Sequence, residues 1–382
     1  MKPTRKSVFS QPSWRIATRD VEAWLTETGG HLGPVAFRLP GRTVRPFHVA
    51  PWHGENLPRQ TPPIIRVLRG DFFCMPFGGN GTVFGKERHP VHGEPANLRW
   101  KLASFQQDKH HTRLRAGVAT RVRKGRVEKT IELRPKQHAI YQRHVVSGMS
   151  GPITIGHHAM LRFPDEPGSG VVSTSRFTFG AVYPEPTERP ENRGYSILKP
   201  AAEFQTLERV PTITGEITDL SRYPARRGYE DIALVAADTS LPFAWTAVVF
   251  PAQRFAWFAL KDPRVLASTI FWFSNAGRHY PPWNGRHVSV MGLEEVTSAF
   301  HPGLAESVAP NLLSRRGIKT VVDLDPNRPL VVNYIMAVAD IPPGFDRVTD
   351  IVSAGDGAVR LLSDAGHAVQ APVDLSWLRG ES

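Results

Sequence analysis

At 382 residues the chain could hold two or three domains, although large β-sandwiches also reach this length as one. Its 41% hydrophobic and 21% charged residues are ordinary for a globular core, and no apolar run is long enough to cross a membrane as a helix. The single cysteine, Cys74, excludes a disulfide framework or cysteine-built zinc site within one chain and suits a cytoplasmic location, while a net charge of +12 leaves an anionic partner open.

In chain order, residues 1–20 are basic, lack the apolar stretch of a signal peptide, and read as an N-terminal extension. From there apolar residues recur mostly at alternate positions, interrupted by 32 glycines and 34 prolines spread along the chain. Residues 69–80 form an apolar run entering a glycine turn, and residues 92–100 follow with His92, Gly93, Asn97 and Trp100. A basic stretch comes next, with Arg113, Arg115, Arg121, Arg123, Lys124, Arg126 and Lys129. Its period of two is that of one strand face, and the simplest reading is the solvated outside of a hairpin. It has neither interleaved aromatics nor a recognisable motif, so no nucleic-acid partner is expected.

Residues 127–133, 153–163, 232–236, 245–250 and 288–291 read as short strands. The proline-rich and charged segment 183–200 reads as a surface excursion between strands or a lid over a site. Helical periodicity is scarce; the best candidate is residues 262–268, where Asp262 caps and Pro263 occupies the first turn. After residue 319, alternation at 321–322 and 330–338 suggests closing strands or a small appendage of the same domain. No internal repeat is present. The fold class is all-β, built of stacked antiparallel sheets.

Two segments bear on chemistry. In residues 153–163, alternation puts His157 with Ile155, Ala159 and Leu161 on an apolar face, and His158 with Thr154, Met160 and Arg162 on the other. His157 then reads as a core histidine and His158 as the one open to a role. In residues 288–296, Glu294 falls with Val290 and Val296, while Glu295 falls with Ser289, and Gly292 could reset the register with a bulge. A carboxylate on an apolar face is desolvated, which raises its pKa and suits proton transfer. The plainer alternative is one solvated glutamate and one ion-paired. A metal site from His53, His92, His157 or His158 with a carboxylate is conceivable, but no ligand-type spacing supports it, so no metal and no cofactor are expected.

Four motifs occur in order: Arg69-Gly70 with Pro76 and Gly78-Gly79; His92-Gly93 with Asn97 and Trp100; Gly156-His157-His158; and Gly292-Leu293-Glu294. Together they resemble the aldose 1-epimerases and hexose-6-phosphate epimerases of the galactose mutarotase-like superfamily. The resemblance implies an antiparallel β-supersandwich over residues 21–318 with a site on a concave sheet face. It implies a sugar or sugar phosphate as partner, Glu294 as base on the anomeric hydroxyl and His158 as acid toward the ring oxygen. By the same resemblance His92, Arg69, Asn97 and an aspartate, Asp231 or else Asp219, bind substrate. A non-catalytic carbohydrate-binding protein on the same fold is the alternative, with Trp100, Trp272, Tyr280 and Trp283 as stacking aromatics. The sequence departs from the family where Ala159-Met160-Leu161 follow the histidine, where Glu295 stands for proline, and where Asp71 shortens the first motif.

Overall fold

Two large antiparallel sheets take up most of the alternating segments. The computed structural model, which describes residues 2–355 and 357–380, orders the first as nine strands and the second as seven. In the nine-stranded sheet the strand Leu330–Asp340 lies between Phe255–Lys261 and Ala139–Ser147. In the seven-stranded sheet Tyr229–Ala237, Ser268–Asn275, Val290–Thr297 and Ile155–Arg162 are consecutive neighbours, closed at one edge by Phe73–Cys74. Both faces of these central strands are buried, which is why their sequences read as nearly continuous apolar runs.

The two sheets meet face to face. Trp257, Tyr334 and Met336 from one interdigitate with Ala159, Leu161, Phe271 and Leu293 from the other. The opposite face of the seven-stranded sheet, with Met160, Ile232, Ile270 and Trp272, is covered by connections that bring in Trp52, Trp283, Phe300 and Leu313. The candidate site lies under that cover.

The remaining parts correct several expectations. Residues 1–20 do not stand apart as an extension. Arg5–Val8 and Gln11–Ala17 are strands of a five-stranded sheet whose Ile16, Val21, Leu25 and Phe37 join the main core. The segment after 319 supplies the central strand Leu330–Asp340 and then a three-stranded sheet. Ile351, Val359 and Leu361 of that sheet cover Trp245, Phe258 and Ile335 on the outer face of the nine-stranded sheet.

No helix forms at 262–268. Phe255–Lys261 and Ser268–Asn275 belong to different sheets, and the short crossing leaves room for a single turn. Asp262 still accepts the Arg264 amide at 2.9 Å, as a turn carboxylate does. The basic stretch spans the hairpin Thr112–Thr120 and Gly125–Leu133, where Arg115 and Arg126 pair with Glu128 and Arg113 with Glu132. Lys129 is the exception. It is buried, and its Nζ donates to the Gly30 carbonyl at 2.8 Å. No helix among the described residues is long and apolar enough to cross a membrane.

Candidate active site

His158 and Glu294 sit directly opposite each other on the adjacent antiparallel strands Ile155–Arg162 and Val290–Thr297. No bulge interrupts that ladder, so both side chains emerge on the same face. His158 Nε2 lies 3.1 Å from Glu294 Oε1, and the two residues keep only 4% and 3% exposure. Gly292, two residues before Glu294, makes the room: a Cβ there would stand 2.7 Å from Glu294 Oε1 and 3.0 Å from the Trp272 Cβ. The glycine is therefore a space for the carboxylate rather than a bulge.

Aromatic rings fix the histidine. Phe72 stacks on His158 at 4.5 Å, and Trp272 and His92 meet it edge-on at 5.7 and 5.0 Å. His92 comes from a tight turn in which Gly93, at φ +76°, presses against the Met75 carbonyl, so no side chain fits there. His301 stands 5.3 Å from His92 and is partly open to solvent. His287 stacks on Trp272 at 5.3 Å, and its Nδ1 lies 2.6 Å from the Ser274 hydroxyl.

A second carboxylate shares this face. Glu230 accepts the Trp272 indole N–H at 2.9 Å and the Ser274 hydroxyl at 2.8 Å. Arg278 lies 3.9 Å from it, donates to Glu188 at 2.6 Å, and packs over the rings of Trp272 and Trp283. Glu188 belongs to the proline-rich segment 183–200, which thus lies against the site flank.

Burial dominates the electrostatics. It drives His158 down to about 3, His301 to about 4 and His92 well below the usual imidazole range. It pushes Glu294 well above the carboxylate range, with Arg278 opposing, and Glu230 up to about 7 against Arg278, Ser274 and Trp272. Both shifts run toward the neutral forms, the unprotonated imidazole of His158 and the protonated carboxyl of Glu294. Two neutral partners in a low-dielectric pocket are favoured over an ion pair.

Other residues expected at the site do different work. Arg69 is buried and donates to the carbonyls of Val67, Val8 and Phe9 at 2.9, 2.8 and 3.0 Å, which clamps the N-terminal hairpin. Asn97 is spent on backbone groups, donating to the Val91 and Gly93 carbonyls and accepting the Ile64 amide. Asp231 faces the inter-sheet side, where it accepts the Ile197 and Leu198 amides at 3.1 and 2.9 Å. Its neighbour Glu230 takes the site face instead, by strand alternation. Asp219 accepts the Ser221 amide and hydroxyl in a turn.

The remaining candidates divide the same way. Glu295 points away from Glu294 into a buried pair with Lys261, accepting also from Thr246 and Thr269, so neither glutamate is solvated. His157 faces the core, its Nδ1 3.0 Å from Asp71 Oδ2 and its ring stacked on Tyr334. With His157 on the opposite face, the histidine metal set is not assembled. Among the described residues no group of three His, Cys, Asp or Glu side chains is placed to hold a metal ion. Trp100 is core and bonds Pro95, whereas Trp272, Trp283 and Tyr280 lie on the site side.

Glu230, Arg278, His287 and His301 had no readable signal. Ile232 to Ala236 is apolar on both faces, so periodicity gives no indication of whether Glu230 or Asp231 faces the site.

No family model and no curated protein matches the sequence. Solved structures do match. A galactose mutarotase-like protein from Clostridium acetobutylicum aligns with TM-score 0.57 and 13% identity, over 88% of this chain and 98% of its own. The Slr1438 protein of Synechocystis gives 0.55 and 12%, over 88% and 97%. A galactose mutarotase related enzyme from Lactobacillus acidophilus gives 0.52 and 10%, over 86% and 99%. At such identities the likeness is one of fold, and this chain has the galactose mutarotase-like fold.

Proposed function

We propose, with the galactose mutarotase-like fold as premise, that this chain is an aldose 1-epimerase-like enzyme interconverting the α and β anomers of a hexose or hexose phosphate. The observation that carries the reading is the 3.1 Å separation of His158 Nε2 and Glu294 Oε1 on one sheet face. Ring opening requires removal of the anomeric hydroxyl proton and delivery of a proton to the ring oxygen. Ring closure after rotation about C1–C2 reverses both transfers on the other face of the carbonyl.

One shared proton suffices for this cycle. In this reading it starts on Glu294, whose carboxyl burial pushes up. A sugar hydroxyl entering the pocket supplies polar contacts that favour the charged arrangement, and the proton moves from Glu294 to His158. Glu294 then takes the anomeric proton as His158 gives its own to the ring oxygen, so the pair keeps its net charge throughout. In this reading His92 and Glu230 meet sugar hydroxyls, while Arg69, Asn97 and Asp231 support the fold around them.

Exchange spectroscopy by NMR on the anomers of several hexoses and their 6-phosphates tests the proposal. The wild type should accelerate exchange of at least one of them, and His158→Ala or Glu294→Gln should lower the rate by roughly 10²–10⁴-fold, the usual contribution of a general acid or base. Full activity in either variant, or no acceleration on any sugar, would sink it. A non-catalytic sugar-binding role draws support from Trp272, Trp283 and Tyr280 on the site side; it predicts calorimetric binding of oligosaccharides with no anomer exchange.

A further inference from the structure

Along the strand Ile155–Arg162 the site face continues from His158 through Met160 to Arg162, about 13 Å away at some 3.3 Å per residue. At that end a cleft of about 810 Å³ opens between the strand Arg42–Val44, the end of the histidine strand, the turn at 252–255 and residues 286–289. Five arginines line it: Arg42, Arg45, Arg162, Arg254 and Arg286. Arg42 pairs with Asp340 and Arg286 with Glu55. Arg45, Arg162 and Arg254 are exposed, and among the described residues none of their guanidinium groups has a carboxylate partner. Asp165 is the one carboxylate of the lining, and it is already engaged by Arg227 and the Ser289 hydroxyl at 2.8 and 2.7 Å.

His48 also lines this cleft at 8% exposure, and both of its ring nitrogens lack a partner. Its ring meets His287 edge-on at 4.6 Å, and His287 stacks on Trp272, which meets His158. The cleft and the acid–base pair thus share one sheet face and are joined by packed rings.

We infer that this cleft binds an acidic oligosaccharide, a short chain of carboxylate-bearing sugars. Three uncompensated guanidinium groups around one trough repel each other and call for several negative charges spread along a ligand, and the planar fork of arginine matches a carboxylate with two parallel hydrogen bonds. The volume suits a few sugar rings rather than one. Pro164 and Val288, partly exposed, offer apolar patches to the C–H faces of such rings. A nucleic acid of equal charge would call for exposed aromatics to stack its bases, and Phe163 and Phe255, the aromatics of the lining, are both buried. The inference does not require His158 and Glu294 to turn over any sugar.

Calorimetry of the full chain with a galacturonic acid hexamer tests it, with a neutral hexasaccharide, a hexose 6-phosphate and a six-nucleotide single strand alongside. The hexamer should bind, weaken as salt is raised, and lose about tenfold or more in affinity in Arg45→Ala/Arg162→Ala, which removes two charge-assisted contacts from exposed positions. The neutral chain should not bind. Absence of hexamer binding, equal binding by the double variant, equal affinity for the sugar phosphate, or tighter binding of the oligonucleotide would each overturn the proposal. A circular dichroism melt of the double variant, expected to match the wild type, keeps loss of binding distinct from loss of folding.

Discussion

Glu294 and Glu295 are chain neighbours with opposite fates, because successive residues of a strand face opposite sides of its sheet. Glu294 stands in an aromatic pocket over Gly292; Glu295 lies between the sheets against Lys261. Gly292→Ala should push the carboxylate off its position, lowering anomer exchange while costing about 1–3 kcal/mol, the usual penalty of overpacking, in a denaturant titration. Lys261→Met should instead leave Glu295 as a buried unpaired charge. It should destabilise by about 3–5 kcal/mol in the same titration, with the exchange rate of the folded fraction close to wild type. If Lys261→Met abolished exchange at full stability, the division of labour between the two glutamates would be wrong.

At the scale of elements, the histidine strand was legible because its two faces differ: Ile155, Ala159 and Leu161 mark the core side and leave His158 for the other. Tyr229–Ala237 is not, since both its faces are apolar; the resemblance names Asp231, whereas strand alternation turns Glu230 toward the His158 face. Arg69 shows a different limit. The resemblance makes it a substrate ligand, yet its guanidinium ties Val8 and Phe9 to the chain at Val67. Arg69→Met should leave those carbonyls without a donor, and hydrogen exchange in Arg5–Val8 and Gln11–Ala17 should speed up while the exchange rate of sugar anomers holds. Unchanged protection of these strands would contradict the clamp.

For the whole molecule, the number of buried imidazoles sets the response to acid. Burial lowers His31, His48, His92, His144, His158, His287 and His301 from their ordinary value of 6.5. As pH falls through that value the unfolded chain takes up protons that the folded chain refuses, so stability falls with pH. Glu230, Asp231 and Glu294, raised by burial, act in the opposite sense, and they are fewer. The melting temperature should therefore drop between pH 7 and pH 5, each net proton counting for about 1.4 kcal/mol per pH unit. A melting temperature that rose over this interval would contradict the burial of these rings. Removing the three-stranded sheet by ending the chain after residue 340 should uncover Trp245, Phe258 and Ile335 on the nine-stranded sheet, and light scattering should report aggregation.

The sequence by itself determined the strand class, the face of His158 and the order of the four motifs, because period-two alternation and glycine turns are local properties. It left open which way Glu294 and Glu295 face, because a bulge at Gly292 would exchange them. Only the tertiary structure decided which side chains meet. Register across the ladder sets His158 opposite Glu294. Connections between sheets bring His92 and His301 to them, and close packing assigns Arg69 and Asn97 to the scaffold. The two basic regions show the same division. The run at 113–129 catches the eye in sequence, but Arg113, Arg115, Arg123 and Arg126 are paired with glutamates and Lys129 is buried. Arg45, Arg162 and Arg254, scattered along the chain, gather around one cleft only when the sheets fold.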